Sequence, residues 1–453
     1  MAAYIEIDPA SGSDTTKWTY SVWFKRASLN GLPQSLVSST GGSSVSYTEI
    51  TLQANNSLIF YNSDSGNAGK LETNAKYEDL GAWYHVVCVW DPGNGTATDK
   101  MKMYVNGVEP SFLNDDAPGA NSTIGNTYPH FIGAYDSNAD RTANTQFFLG
   151  EMSHSQMYNG EAYAATDFGS FDATSGIWKI KTSGPSATYG TNGWFLKMED
   201  RTNLDLDSSN NAYTFTTTGT LTATYDNPSN NFSTMNPLDN YFFDATFSNG
   251  NNTVVTTSPS NETYGTSTLG LQAGLWYFEV KCASDTSNAN QNIGITNQPS
   301  QASDDYYLGR AAGEYSYAAA NGQWYTAASG TAYGDTYAPT DIIGVYVDLT
   351  ASKLYFAKNG TVQNSGTGIS ITAVGSSTQG VYFPAASYQE SGASATFEFN
   401  FGNGYFGTTA VTSAVADEGG IGAFEYDPSA GTFDSASKDF RAICTKNIKA
   451  YGG

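Results

Sequence analysis

Apolar and polar residues begin to alternate within the first 20 positions. In KWTYSVWFKR, Trp18, Tyr20, Val22 and Phe24 share one parity. A period of two places them on one face of a strand. Similar runs follow at SYTEITLQ, SLIFYN, WYHVVCVWD, KMKMYVNGVE and HFIGAY. Turn dipeptides separate them: Asn30-Gly31, Gly41-Gly42, Pro92-Gly93-Asn94-Gly95 and Asn106-Gly107. Such spacing predicts an antiparallel β-sandwich, and the alternation predicts sheets with one wet face.

The pattern loosens across 171–250, where Asn, Ser, Thr and Gly dominate. This stretch reads as a connector that also closes the first sandwich, because Trp194, Phe195, Leu196, Phe232, Tyr241, Phe242 and Phe243 need somewhere to pack. Strand-like runs return with LWYFEVKC, QNIGIT, DIIGVYVDL, KLYFAKNG, GVYFPAAS and ATFEFNFG. DIIGVYVDL-TAS-KLYFAKNG reads as a hairpin, with Asn359-Gly360 closing the next turn. The expected organisation is all-β: two antiparallel β-sandwiches at 1–170 and 251–405, the connector at 171–250, and a C-terminal extension at 406–453.

Composition narrows the function. Only 14% of the 453 residues are Asp, Glu, Lys or Arg, against about 25% in ordinary domains. Long surface helices need more charge than that. Acidic residues outnumber basic ones 43 to 20, for a net charge of −23, so no basic stripe exists to hold nucleic acid phosphates. Aromatics make up 14%, enough to build cores and argue against disorder. MAAYIEIDPASGSD has neither the basic nor the apolar segment of a signal peptide, and no apolar run is long enough to span a bilayer. The expectation is a soluble chain with no membrane insertion.

Two families are resembled. WTYSVWFKR, WYHVVCVWD, KMKMYVNGVE and FIGAYDSNADRTANTQFFLGEMSHSQMYNG occur in the order of a laminin-G or concanavalin-A-like jelly roll. WYFEV, IGI, DIIGVYVDLTASKLYFAKNG and VYFPAAS…FEFNFG are similar to a SPRY domain. The two together, with TYGTNGWFLKMEDRTNLDLDSSNN, DNPSNNFSTMNPLD and a tail FEYDPSAG…FRAICTKNI, resemble virion structural proteins of tailed phages, often called tail fibre proteins. That resemblance implies a virion location, contacts with capsid or tail proteins, and a homo-oligomer. A fibre shaft is not expected, because no heptad or collagen-like repeat occurs.

Candidate chemistry is sparse. His85, His130 and His154 are not at metal-ligand spacing, and His85 reads as a core histidine. Cys88, Cys282 and Cys444 are far apart and odd in number, so no disulfide framework is implied; Cys88 and Cys282 read as buried hydrophobes. Glycoside hydrolysis needs two carboxyls across the sugar. Glu151, Glu199, Glu279 and Glu398 lie on strands, but no glycosidase motif accompanies them. No nucleophile elbow or phosphate loop occurs. No cofactor is expected, except that Asp136, Asn138 and Asp140 alternate in a loop in the manner of calcium ligands, and lectin-like jelly rolls often bind calcium.

The segment 304–337 supplies the candidate binding surface: Tyr306, Tyr307, Arg310, Tyr315, Tyr317, Trp324, Tyr325, Tyr333 and Tyr337. Tyr and Trp give rigid, amphipathic contact area. In the SPRY resemblance this region carries the ligand loops. The expectation is a non-enzymatic virion structural protein displayed on the particle, as an appendage or a capsid decoration. The alternatives are a receptor-binding tip that takes a host-surface glycan and, behind it, a polysaccharide depolymerase.

Overall fold

A computed structural model describes residues 3–43, 46–64, 67–116, 118–136, 144–241, 245–257, 263–286, 290–299, 307–388 and 393–452. The chain divides into two compact units, Met1–Ala223 and Thr224–Gly453. The division falls inside 171–250: strands as far as Thr216–Thr218 join sheets of the first unit, and strands from Met235–Tyr241 onward join those of the second. Both units are antiparallel β-sandwiches. Among the described residues no helix is long and apolar enough to cross a membrane.

The first unit packs an eight-stranded sheet against a five-stranded one. Edge to edge, the larger runs Thr216–Thr218, Tyr4–Ile7, His130–Ile132, Gln34–Ser43, Ser46–Leu52, Leu58–Asp64, Asn67–Thr73 and Phe112–Asp116. The smaller runs Trp194–Leu196, Gly150–Asn159, Trp18–Arg26, Trp83–Trp90 and Met101–Val105. Trp18, Tyr20, Val22 and Phe24 point into the core between the sheets, as their shared parity predicts.

The other face of the smaller sheet is not wet. Every residue of Trp18–Arg26 is buried. Trp23, Val87 and Val89 meet Ala165, Phe168, Trp178, Tyr189 and Phe195, all supplied by the chain after residue 164. The expected wet face is therefore corrected to a second, smaller core. His85 lies in it, 4.6 Å from the Trp23 ring and 6.0 Å from Trp178, nearly parallel to both. Trp178 Nε1–H donates to His85 Nδ1 at 3.0 Å, so the proton sits on Nε2, 2.8 Å from Ser21 Oγ. Burial holds this imidazole neutral, its pKa pushed down to about 3.

The second unit packs a seven-stranded sheet against a nine-stranded one. The first runs Met235–Tyr241, Thr263–Ser267, Phe383–Tyr388, Gln291–Thr296, Glu314–Ala318, Gln323–Thr326 and Ser329–Ala332. The second is centred on Leu275–Asp285, Ile342–Asp348 and Lys353–Lys358. The expected hairpin is present, with Asp348 opposite Lys353, and Asn359 and Gly360 both lie at positive φ in the next turn.

Here too parity divides one strand between two cores. Trp276, Phe278, Val280 and Cys282 face the sandwich interior. Tyr277 faces the other way and packs with Tyr346, Tyr355, Phe424, Phe433 and Phe440. The segment 406–452 is thus part of the domain, and Arg441–Ala442 pairs in parallel with Trp276 and Tyr277. Carboxylates fasten it. Glu279, fully buried, accepts from Tyr277 Oη at 3.0 Å, Tyr426 N at 2.8 Å, Asn400 Nδ2 at 3.0 Å and Glu425 N at 3.0 Å. Asp417 accepts from Gly419 N, Ile421 N and Ala442 N at 2.9 Å each and from Asn447 Nδ2 at 2.7 Å. Lys438 Nζ bonds Asp348 and the Tyr355 hydroxyl at 2.7 Å each.

Candidate functional site

The aromatic-rich segment divides by burial. Tyr315, Tyr317, Tyr333 and Tyr337 are core residues and not surface ones. This corrects the expected binding surface. Tyr315 and Tyr317 share the inward parity of Glu314–Ala318, and Tyr317 stacks 5.2 Å from Phe356. Their hydroxyls are occupied inside the fold. Tyr337 Oη donates to Tyr317 O at 2.7 Å, Tyr317 Oη donates to Asp335 O, Tyr333 Oη accepts from Phe356 N at 3.1 Å, and Tyr315 Oη accepts from Thr372 N at 2.9 Å. A buried phenol needs such a partner, and these rings act as buttresses.

Tyr307, Arg310, Trp324 and Tyr325 are half-buried; Tyr307 and Tyr325 meet on one face of the strand Gln323–Thr326, while Trp324 faces the sandwich core on the other. Trp324 and Tyr325 lie on Gln323–Thr326, which turns back through Ala327 and Ala328 into Ser329–Ala332. Both turn residues have positive φ (48° and 58°), the signature of a two-residue I′ hairpin. The turn is tied down by Ala327 N to Ala311 O at 3.1 Å and Ala328 N to Gly309 O at 3.0 Å. Two alanines are poor residues for this turn, and those two bonds hold it.

The neighbouring segment 307–311 is equally fixed. Buried Glu314 accepts from Gly309 N and Ala311 N at 3.1 Å each. Ser316 Oγ donates to Leu308 O at 2.7 Å. Gly309 sits at φ +101°, and a Cβ there would lie 2.6 Å from Ser316 Oγ and 2.8 Å from Tyr325 Cβ. Only glycine permits that approach. It brings the Tyr307 ring edge-on to Tyr325, with centroids 6.3 Å apart. On the other side Trp324 stacks on Tyr315 at 6.4 Å. Asn321 Nδ2 donates to Tyr325 Oη at 2.8 Å, and Tyr325 Oη donates to Gln323 Oε1 at 3.0 Å.

The result is a rigid platform of two tyrosines, Tyr307 and Tyr325, and the amides of Asn321 and Gln323. Such a set can lie against an apolar sugar face or a peptide and satisfy its polar rim. The amides of Asn321 and Gln323 were not foreseen; an Asn-Gly-Gln turn between aromatic runs was the only clue.

The remaining candidates do not form a second site. Tyr306, Asn138 and Asp140 lie outside the described residues. Asp136 is buried on the two-residue strand Tyr135–Asp136. Among the described residues, no group of three His, Cys, Asp or Glu side chains is placed to hold a metal ion. The carboxylates divide as well. Glu279 is sealed and fully engaged, Glu398 faces Lys281 at 3.9 Å, and Glu199 is 56% exposed. All three histidines are buried, and burial pushes His130 and His154 down to about 4. The three cysteines are buried free thiols.

Residues 2–166 match the concanavalin A-like lectin/glucanases superfamily, and residues 275–404 match the SPRY domain. Similar solved structures include the SPRY domain of human HERC1, at 16% identity and a TM-score of 0.31, covering 36% of this chain and 96% of that one. Stonustoxin is similar at 16% identity and a TM-score of 0.28, covering 37% and 27%. A SAP-like pentraxin from Limulus polyphemus gives 17% identity and a TM-score of 0.28, covering 36% and 72%. No curated protein matches the chain.

Proposed function

We propose that this chain, which carries a concanavalin A-like domain followed by a SPRY domain, is a non-enzymatic structural and binding protein of a tailed-phage particle. In this reading it is displayed on the particle surface, as a tail appendage or capsid decoration, and held there by protein–protein contacts as a homo-oligomer. The observation that carries the binding part is the fixed platform of Tyr307 and Tyr325 with the Asn321 and Gln323 amides. The particle part is supported by the sequence resemblance of the whole arrangement to phage virion proteins. A surface solvated by hydroxyls and amides, with a net charge of −23, also suits a displayed protein that avoids DNA and anionic envelopes.

Antibody against the purified chain should label intact particles at a regular position in electron micrographs. Particles that carry none of the protein would remove this reading. The second reading, a tip that takes host-surface polysaccharide, is favoured by the pairing of ring faces with the Asn321 and Gln323 amides. Purified protein should then block phage adsorption, and Tyr325→Ala should lose that block. Equal blocking by both proteins would exclude the platform as the glycan site.

A further inference from the structure

The two-stranded arm that carries Trp324 and Tyr325 ends in an uncharged strand that is exposed throughout. Ser329–Ala332 reads SGTA, every residue is exposed, and among the described residues it is the last strand of the seven-stranded sheet. An edge strand offers unpaired N–H and C=O groups, and proteins commonly guard such edges with charge, proline or a bulge. Three of the other edges follow that rule, with Lys102, Asp115 and Asp239 on them. Ser329–Ala332 has no charge, no proline and no register shift against Gln323–Thr326.

The hairpin fixes which groups face outward. A two-residue I′ turn makes Thr326 and Ser329 a hydrogen-bonded pair. Thr331 is then bonded inward to Trp324, while Gly330 and Ala332 direct their N–H and C=O away from the sheet. The Gln323 and Tyr325 side chains lie across Gly330, where a Cβ would come within 2.3 Å of Gln323 Oε1 and 2.8 Å of the Tyr325 ring. Glycine keeps this edge flat.

We infer that Ser329–Ala332 is a pairing edge for a second copy of this chain, joined antiparallel about a twofold axis. The inference rests on the oligomeric part of the function proposed above and names its contact. Gly330 of each copy pairs with Ala332 of the other, which uses all four outward donors and acceptors. Thr331 then faces its counterpart directly in the close, non-hydrogen-bonded position, a favourable cross-strand pair. The charge distribution leaves this strand open to a like partner. Two copies of a chain with net charge −23 repel over most of their surface, whereas Gln323–Ala332 has no Asp, Glu, Lys or Arg to repel its twin. A basic partner would find no acid on this strand.

Thr331→Cys in the full chain tests the register. Cα atoms in the close pair stand about 4.5 Å apart, inside the range a disulfide spans. Cys88, Cys282 and Cys444 are buried, so the unmodified chain is the blank. Under mild copper-phenanthroline oxidation, Thr331→Cys should give a covalent dimer in at least about tenfold higher yield than Thr361→Cys, a site exposed on the opposite sheet. Equal yields would overturn the inference. In sedimentation velocity, Thr331→Lys and Thr331→Glu should each lose self-association, and an equimolar mixture should recover it. Self-association retained by both variants, or not recovered on mixing, also overturns it. Particle labelling without cross-linking removes this contact alone; cross-linking without labelling removes the particle reading alone.

Discussion

In the first unit the outer face of the central sheet is closed by rings: Trp23, His85 and Trp178 stack, and Phe168, Tyr189 and Phe195 complete the cover. In the second unit the outer face also carries rings, but carboxylates fasten the covering chain. Glu279 and Asp417 each accept four hydrogen bonds, most of them from segments after residue 418. The covering chains explain the choice. Residues 165–196 contribute Trp178, Tyr189 and Phe195, which can stack on a sheet. Residues 417–447 contribute irregular backbone whose N–H groups must find acceptors once buried. Rings seal a face without regard to direction, whereas a carboxylate selects particular amides and so fixes the path of a loop.

The widest separation of the two should come with pH. All three histidines lie in the first unit, and burial lowers each. The unfolded chain takes up their protons near pH 6.5, while the folded chain refuses them until about 4 or 3. That stability is therefore present above pH 6.5 and lost as pH falls. Half-buried Glu49, raised to about 7 by desolvation, opposes it in the same unit. The second unit has no histidine, and burial raises Glu279 to about 7 and also raises Glu398. A raised carboxyl favours the folded state increasingly as pH falls from 7 to 4.5. Between pH 7 and 5 the first unit should lose roughly 4 kcal/mol while the second gains. Calorimetry at the two pH values should show two transitions moving in opposite directions; parallel movement would refute the contrast.

Two substitutions assign those transitions. Trp178→Ala should cost the first about 3–5 kcal/mol, through loss of a ring packed on His85 and Phe171. Glu279→Ala should cost the second about 2–4 kcal/mol, because it leaves the amides of Glu425, Tyr426 and Asn400 without their acceptor. If either substitution lowered both transitions equally in a urea melt, the units would not be separate cooperative blocks. The smallest effect is Ser21→Ala, which removes the partner of His85 Nε2 and should cost the first transition about 1 kcal/mol.

Local pattern by itself determined the strands, the two sandwiches, the hairpin at 342–358 and the burial of Cys88 and Cys282, because a period of two and turn dipeptides act over a few residues. The same alternation misled on the outer faces. Tyr277, Glu279 and Trp23 look like residues of a half-wet strand until distant chain covers them, and neither cover is adjacent in sequence to the strand it closes. It also could not sort the aromatic-rich segment. Tyr315 and Tyr325 have the same chemistry and similar neighbours, yet one is core and the other lies on the platform. Which face of a strand is inside, and which strand ends its sheet, depends on long-range pairing. That is why Ser329–Ala332, four small residues with no local mark of importance, acquires meaning only from its place at the edge.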